Sequence, residues 1–276
     1  MKSSTQPLLI KPSPRFPKIN FRELWQEREV LYRFIWRDFK VRYKQTVLGY
    51  LWLILQPLAL MVLYTLFFSY IARVPSNGIP YPIFLLSALI PWRFFSNSLS
   101  LGAGAIVGAS GLLKRVYFPR LYLPISGVIS GVIDVLVGFL VLLSVMLYFD
   151  IMPEAKILLV PVLIILLAGL SFASVLIISS LNAFFRDISR SIPIISQGWM
   201  YASPVVYPLS LVPESVLHLY VLNPVVGIIH SFRWATVGAP ESPWGLLAYS
   251  VLATVTLLGI GLVMFRSFER NFVDVI

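Results

Sequence analysis

The chain consists of long apolar runs separated by short polar connections. An α-helix needs about 20 mostly apolar residues to cross a bilayer. Two runs depart from the simple pattern, since the second carries Arg93 and the fifth is interrupted by Pro193 and Pro204. The pattern predicts an all-α integral membrane protein with six transmembrane helices, in a domain of residues 48–276. The predicted spans cover residues 48–72, 81–105, 121–149, 157–183, 190–208 and 244–265.

The segment between the fifth and sixth spans is apolar but repeatedly broken by proline and glycine. Its apolar stretches, residues 216–222 and 225–234, are too short to cross a bilayer. Irregular backbone at membrane depth is tolerated only where protein or water covers it. The segment therefore predicts re-entrant or interfacial helices on the outer side of the membrane.

An amphipathic segment precedes the first span. At about 100° per residue, four basic side chains fall within an arc of about 60°, opposite an aromatic-rich face. This pattern predicts that residues 20–47 form a helix lying in the cytoplasmic interface. A helix packed on the protein's own spans is the alternative, and both can hold together. The Pro-rich residues 1–19 predict a flexible tail. The four basic residues are Arg33, Arg37, Lys40 and Lys44.

Composition supports this class of protein, because 58% of the 276 residues are hydrophobic and only 12% are charged. The mean hydropathy is +0.84. With the predicted spans, 18 Lys and Arg residues fall on one side of the membrane and 3 on the other. Because Lys and Arg concentrate in cytoplasmic loops, both termini are predicted to be cytoplasmic, in a multi-pass membrane protein; the resemblance described below implies the bacterial cytoplasmic (inner) membrane. Topology and anionic lipid account for the net charge of +10 without nucleic acid.

The chain lacks the motifs of several catalytic and nucleotide-binding classes. No G-x-x-x-x-G-K-[ST] motif is present, so the chain is not expected to hold a nucleotide by itself. H-E-x-x-H, G-x-S-x-G and cysteine are also absent, and we predict neither a metal site nor a catalytic residue. Asp134 is the single mid-span acid, whereas ion-coupled carriers more often have several. Any transport is therefore expected to draw its energy from another subunit.

Two charged residues, Arg93 and Asp134, fall inside predicted spans. A charge at the centre of a bilayer costs about 2.5–3.5 kcal/mol on an insertion scale. We therefore expect these two side chains to face a cavity, a subunit interface or each other. The glycines at 127 and 131 precede Asp134, and their spacing favours close packing between helices.

Two short cytoplasmic loops, residues 111–124 and 182–193, combine basic with aromatic residues. Simple positive-inside connectors would explain the charge. The aromatic side chains favour a protein docking surface instead, since such residues are enriched where proteins bind each other. The candidate docking residues are Lys114, Arg115, Val116, Tyr117, Phe118, Arg186 and Asp187.

Four parts of the sequence are specific enough to compare with a family. They are RYKQTVLGYLWLILQPL (42–58), LKRVYFPR (113–120), NAFFRDI (182–188), and SPVVYP followed by LNP (203–208 and 222–224). In this order and topology they resemble the ABC-2 type transmembrane subunits that export lipid-linked polysaccharides, including O-antigen, capsule and teichoic acid. The resemblance begins near residue 22. Arg93 matches no motif of that family.

The resemblance implies a pore formed by two copies of the chain, with two separate ATPase subunits beneath it that hold ATP and Mg²⁺. The two cytoplasmic loops would contact those ATPase subunits. The turn at Leu48 and Gly49 would lie beside the cytoplasmic entrance. Arg42 and Lys44 are placed there to meet the diphosphate of a lipid-linked cargo, although anionic lipid headgroups are equally suitable partners.

Aromatic side chains suit a path for a sugar polymer, because they offer broad and weakly specific contact. Ordinary lipid-facing aromatic residues are the alternative. The implied function is the permease of an ATP-driven exporter for undecaprenyl-diphosphate-linked polysaccharide such as O-antigen. Teichoic acid, capsule, a drug or a small lipid are alternative cargoes, and a membrane scaffold or enzyme without transport is the alternative class. The candidate path residues are Trp52, Tyr64, Phe67, Phe68, Trp92, Phe94, Phe95, Trp199 and Tyr201.

Overall fold

Helices joined by short connections make up the computed structural model, which describes residues 21–44, 46–240 and 242–275. No β-strand occurs within these described ranges, and the prediction of an all-α protein is confirmed. The predicted flexible tail, residues 1–19, lies outside the described residues.

The helices are α1 (Phe21–Gln26), α2 (Arg28–Tyr43), α3 (Trp52–Tyr64), α4 (Tyr81–Ala103), α5 (Ala105–Gly108), α6 (Ser110–Leu113), α7 (Tyr122–Tyr148), α8 (Val160–Phe184), α9 (Asp187–Tyr201), α10 (Glu214–Val221), α11 (Pro224–Val237), α12 (Trp244–Glu269) and α13 (Phe272–Val275). Short 3₁₀ turns at Gly49–Leu51 and Ala155–Leu159 extend α3 and α8 at their N-termini, and a π-helical stretch at Thr65–Ile71 extends α3 at its C-terminus.

Four helical segments are long and apolar enough to cross a membrane: Gly49–Ile71, Tyr122–Tyr148, Ala155–Phe184 and Trp244–Glu269. Each coincides, within a few residues, with a predicted span. The count is five if α10 and α11, which meet at an angle of 99°, are taken as one span. The structure therefore establishes four to five candidate spans in the part of the chain that it describes.

The predicted fifth span, residues 190–208, has a different extent. Helix α9 begins earlier, at Asp187, and ends at Tyr201. The residue before a proline resists the α conformation, so Pro204 prevents the helix from continuing to residue 208. The 15 residues of α9 rise about 22 Å, which is less than the thickness of the hydrocarbon core.

Helix α4 lies inside the bundle and packs against α3, α7, α8, α9 and α11. Most of its residues are buried, although it is less apolar than the four candidate spans. Its packing on α7 depends on small residues, because a Cβ at Gly131 would lie 3.1 Å from the Phe94 ring and one at Gly138 would lie 3.2 Å from Ile90. Gly127 has no such neighbour within 4 Å, so of the predicted pair only Gly131 packs against another helix in the part of the chain that the structure describes.

The predicted N-terminal helix over residues 20–47 is interrupted. A turn at Glu27 separates α1 from α2, and α2 ends at Tyr43. Phe34, Phe39 and Tyr43 are buried against the bundle, whereas Tyr32 and Trp36 of the same helix remain 65% and 42% exposed. Helix α2 thus packs on the protein's own spans and keeps aromatic residues on its outer face, and its position in the cytoplasmic interface stays a prediction.

The segments that carry most of the basic residues meet at one end of the bundle. Phe34 of α2 contacts Phe118 of the loop before α7, with ring centroids 5.2 Å apart. Phe184, at the end of α8, contacts Phe268 of α12 at 5.0 Å. The Arg120 guanidinium donates a hydrogen bond to the carbonyl of Glu269. These contacts join α2, both predicted docking loops and the C-terminal helices into one surface.

Candidate functional site

A cluster of polar side chains fastens α2 to α7. Arg42 lies 2.6 Å from an Asp134 carboxylate oxygen and donates a second hydrogen bond to Ser130 Oγ at 2.5 Å. The Tyr43 hydroxyl donates to the other Asp134 oxygen at 3.0 Å. Burial, together with the adjacent carboxylate, raises the pKa of Tyr43 to about 12. The tyrosine therefore stays protonated and continues to donate this hydrogen bond at neutral pH.

A second polar contact lies one helical turn away. The Ser126 hydroxyl donates to Asp38 Oδ2 at 2.6 Å, and Asp38 is also paired with Arg37 at 2.8 Å. Residues four apart on a helix share one face, so Asp38 and Arg42 meet a matching polar stripe on α7. That stripe consists of Ser126, Ser130 and Asp134.

Asp134 also lines a small cavity of about 50 Å³ between α3, α4 and α7. Arg93 lines the same cavity, and its buried Nη1 has no hydrogen-bond partner among the described residues. Both mid-span charges thus face one cavity. The ion pair of Asp134, however, comes from Arg42 of α2. The polar residues around this cavity are Tyr43, Gln56, Arg93, Asn97 and Asp134.

A larger cavity of about 430 Å³ separates α2 from α4, α5 and the start of α7. Arg37, Asp38 and Arg42 line its α2 side. Arg42 therefore lies between the two cavities: its side chain borders the large one while its guanidinium binds Asp134. The opposite wall is lined mainly by small residues, namely Ser100, Gly104, Ala105, Gly108, Ala109 and Gly127.

The predicted entrance residues lie at the C-terminal end of α2 and the start of the first span. Lys44 and Leu48 are exposed. Gly49 has a φ of +52°, a left-handed conformation that glycine adopts without steric cost, and it turns the chain into the span. Arg42 differs from Lys44, because its guanidinium is engaged by Asp134.

The residues of the first predicted docking loop point in different directions. Val116 and Tyr117 are 55% and 80% exposed, whereas Phe118 is only 4% exposed. Phe118 packs edge-on against Phe34, so its ring lies inside the chain. Lys114 and Arg115 are exposed.

Charged and aromatic side chains of the second predicted docking loop are exposed on the surface of the chain. Arg186 and Asp187 are both exposed, and Phe185 is 65% exposed. Asp187 pairs with Arg190 one turn later, at 3.7 Å. An exposed pair of this kind contributes little to stability, so its side chains are available to a partner.

The candidate path aromatics divide into three groups. Trp92, Phe94 and Phe95 are buried core residues, and Phe95 packs on Trp199 of α9 with ring centroids 5.2 Å apart. Because these three rings are buried, they contribute to helix packing and offer no surface to a sugar polymer in this conformation. The partly buried set is Tyr64, Phe68 and Trp199, and the exposed set is Trp52, Phe67 and Tyr201.

Sequence reasoning missed the roles of Asp38, Tyr43, Ser126 and Ser130. The sequence nonetheless contained a sign of this polar contact. Ser126, Ser130 and Asp134 recur every fourth residue of a predicted span, and such a stripe requires polar partners inside a membrane. The sequence did not predict which residues of α2 are the partners, because that depends on how this helix packs against α7.

Comparison with known proteins identifies the class of this bundle. The sequence pattern of the ABC-2 type transporter family matches residues 29–237, a stretch that includes all of α2 but its first residue, and the two predicted docking loops. The chain therefore belongs to the ABC-2 type transporter family. This membership, together with the apolar helices, agrees with the expected location in the bacterial inner membrane.

Relatives with named functions are similar over most of their length. An O-antigen export system permease protein, RfbA of Myxococcus xanthus, is 32% identical over 215 residues, which cover 77% of this chain and 82% of the relative. RfbA of Klebsiella pneumoniae is 28% identical over 246 residues, 87% of this chain and 92% of the relative. The polysialic acid transport protein KpsM of Escherichia coli is 29% identical over 239 residues, 85% and 91% of the two chains.

Proposed function

We propose that this chain is the membrane permease subunit of an ATP-driven exporter of lipid-linked polysaccharide. The observation that carries the proposal is the similarity, over most of both chains, to permeases of O-antigen export and to a polysialic acid transport protein. O-antigen linked to undecaprenyl diphosphate is the cargo we favour. Capsule and teichoic acid are alternative polymers, and a drug or small lipid is the alternative cargo that the test below separates from a polysaccharide.

The proposed topology has six crossings and cytoplasmic termini. Burial of α4 by neighbouring helices explains how a helix with Arg93 is accommodated, since it has little contact with lipid. Helix α9 is shorter than a bilayer and would complete its crossing through the turn that follows it. The sharp angle between α10 and α11 supports a re-entrant pair at the outer side.

A second copy of the chain is the proposed partner within the membrane. Pro57 is the only residue of α3 that is buried in the single chain, and the π-helical stretch after it has no buried residue. A first span that is so little covered has surface available for a second permease subunit or for the cargo. The exposed Trp52 and Phe67 lie on this span.

The ATPase subunits are proposed to bind the end of the bundle where the loops meet. Tyr117 is the most exposed aromatic residue of the first loop, and exposed Arg186 belongs to the second. Phe118 connects the first loop to Phe34 of α2. Movement of an ATPase subunit against Tyr117 would thus be transmitted through Phe118 to α2, and from α2 to α7.

The test is reconstitution of this chain with a candidate ABC ATPase subunit from the same organism. We expect a stable complex, ATP hydrolysis that depends on the permease, and movement of a fluorescent lipid-linked oligosaccharide across proteoliposomes. A lipid without sugar and a drug substrate serve as cargo controls. If neither a complex nor stimulated hydrolysis is found, the transporter function is rejected. If only the drug or the simple lipid stimulates hydrolysis, the proposed polysaccharide cargo is rejected in favour of that compound.

A further inference from the structure

Asp134 faces two arginines from different helices, and it is bonded to only one of them. Arg42 of α2 holds it at 2.6 Å. Arg93 of α4 lines the same cavity as Asp134, interacts with it electrostatically, and has a buried Nη1 without a hydrogen-bond partner in the described part of the chain. The carboxylate therefore has a second cation nearby, Arg93, to which it is not hydrogen-bonded.

We propose that Asp134 exchanges counterions during transport. In the structure it holds Arg42. When Arg42 turns into the larger cavity to bind the diphosphate of a polyprenyl lipid, Arg93 takes over the carboxylate. The inference rests on the proposed function, which supplies a lipid-linked cargo, and it adds the residue, Arg93, that replaces Arg42 at Asp134 when Arg42 is released.

Charge supports an anionic ligand beside α2. Arg42 and Arg93 bring two positive charges to the region of Asp134, which supplies one negative charge. Asp38 does not neutralise the excess, because its carboxylate is already bound by Arg37 and Ser126. A diphosphate that enters next to α2 therefore meets a site with net positive charge. Arginine suits such a ligand, because its planar guanidinium can bind phosphate through two hydrogen bonds.

The position of Arg42 allows both states without a large rearrangement. Its side chain already borders the cavity of about 430 Å³, and Arg37 lines the same wall one turn earlier. Asp134 and Arg93 line the separate small cavity. Rotation of the Arg42 side chain would move its charge away from Asp134 into the larger cavity, while Tyr43 keeps its hydrogen bond to Asp134.

The exchange solves an energetic problem of binding. The Arg42 and Asp134 side chains are only 16% and 20% exposed, and removing one partner of an ion pair that is largely shielded from water is unfavourable because the other charge is left uncompensated. Without a replacement, Asp134 would oppose the departure of Arg42. With Arg93 beside it, the carboxylate keeps a counterion in both states. Arg93 is thus a positioning residue, which affects ligand binding only through Asp134.

The test measures ligand binding by the full-length chain in nanodiscs of zwitterionic lipid. The probe is fluorescent farnesyl diphosphate, with farnesol as the neutral control. Wild-type protein is expected to prefer the diphosphate. Arg93→Gln is expected to weaken its affinity about tenfold, the equivalent of about 1.4 kcal/mol, whereas Arg93→Lys retains the charge and most of the affinity. Lys40→Gln, which removes an exposed cation of α2, the helix that carries Arg42, is the control for loss of positive charge and is expected to change little.

The decisive result is rescue by a second substitution. Asp134→Asn removes the carboxylate that must be compensated, so the double variant Arg93→Gln with Asp134→Asn is expected to bind within about twofold of Asp134→Asn alone. If the single variant Arg93→Gln fails to insert, this comparison still decides the question. A role of Arg93 that does not act through Asp134 predicts no such rescue.

The outcomes separate the exchange from the function on which it rests. Diphosphate binding that is insensitive to Arg93→Gln, or that Asp134→Asn does not rescue, would overturn the exchange and leave the exporter function intact. Equal binding of farnesol and farnesyl diphosphate would reject diphosphate recognition and the exchange with it. Inorganic pyrophosphate and phosphatidylglycerol are tested as competitors. Equal competition by either would reject a polyprenyl diphosphate as the occupant.

Discussion

Phe118 and Tyr117 are neighbours on one loop, yet their side chains have opposite surroundings. Phe118 is 4% exposed and Tyr117 is 80% exposed. The Phe118 ring packs at 5.2 Å from that of Phe34, in a buried cluster with Tyr122 and Leu123. We expect Phe118→Ala to lower the free energy of unfolding by about 3 kcal/mol, the lower end of the range for a buried phenylalanine. The lower end applies because the cluster lies at the end of the bundle, where water can enter the space that the missing ring would leave.

Part of this loss belongs to the contact between the two rings. An edge-to-face aromatic pair contributes about 0.5–1.5 kcal/mol beyond the area that it buries. A double-mutant cycle with Phe34→Leu and Phe118→Leu isolates this contribution, because leucine keeps most of the apolar contact. The coupling energy is expected to fall in the same range.

The assay is unfolding of the purified permease by SDS in mixed micelles, followed by tryptophan fluorescence. Tyr117→Ala is the matched control, since substitution of an exposed side chain changes stability by no more than about 0.5 kcal/mol. Similar destabilisation by the two alanine variants would refute the assignment of one side chain to the interior and the other to the surface. Zero coupling between the phenylalanines would refute the contact that links the loop to α2.

Three further predictions use the same reconstituted or purified protein. Tyr117→Ala should reduce export per ATP hydrolysed about tenfold, the equivalent of a binding hot spot, and unchanged export would count against docking through this loop. Gly261→Leu should lower the free energy of unfolding by about 2 kcal/mol, because a Cβ there would lie 2.9 Å from a backbone oxygen of α8. Gly259→Leu is the control, since a Cβ at Gly259 has no neighbour within 4 Å. Equal losses of stability for the two variants in SDS titrations would contradict this packing. Gly49→Ala should cost about 1 kcal/mol, since φ is +52°. Gly245→Ala, inside a helix, should be neutral or stabilising in the same titration, and a cost as large as that at Gly49 would rule out the backbone explanation.

The sequence was informative about length and chemistry along the chain. The four continuous candidate spans match predicted runs, because the length of apolar chain that crosses a bilayer is a local property. The fifth run was extended too far, since Pro204 ends the helical conformation although the hydrophobicity continues. For Tyr117 and Phe118 the sequence indicated a special loop, but two adjacent aromatic residues carry no local sign of which one turns inward.

Apolar runs, basic loops and family motifs were thus enough to indicate a membrane permease, because insertion and charge distribution depend on composition within short segments. The sequence also required partners for Asp134 and Arg93, since neither charge is tolerated alone in lipid. Only the tertiary structure decided that Asp134 binds Arg42, which lies 92 residues earlier in the chain, and that Arg93 faces the same cavity. The reason is physical: the partner of a buried charge is set by the way whole helices pack, and the packing of α2 on α7 cannot be deduced from either helix alone.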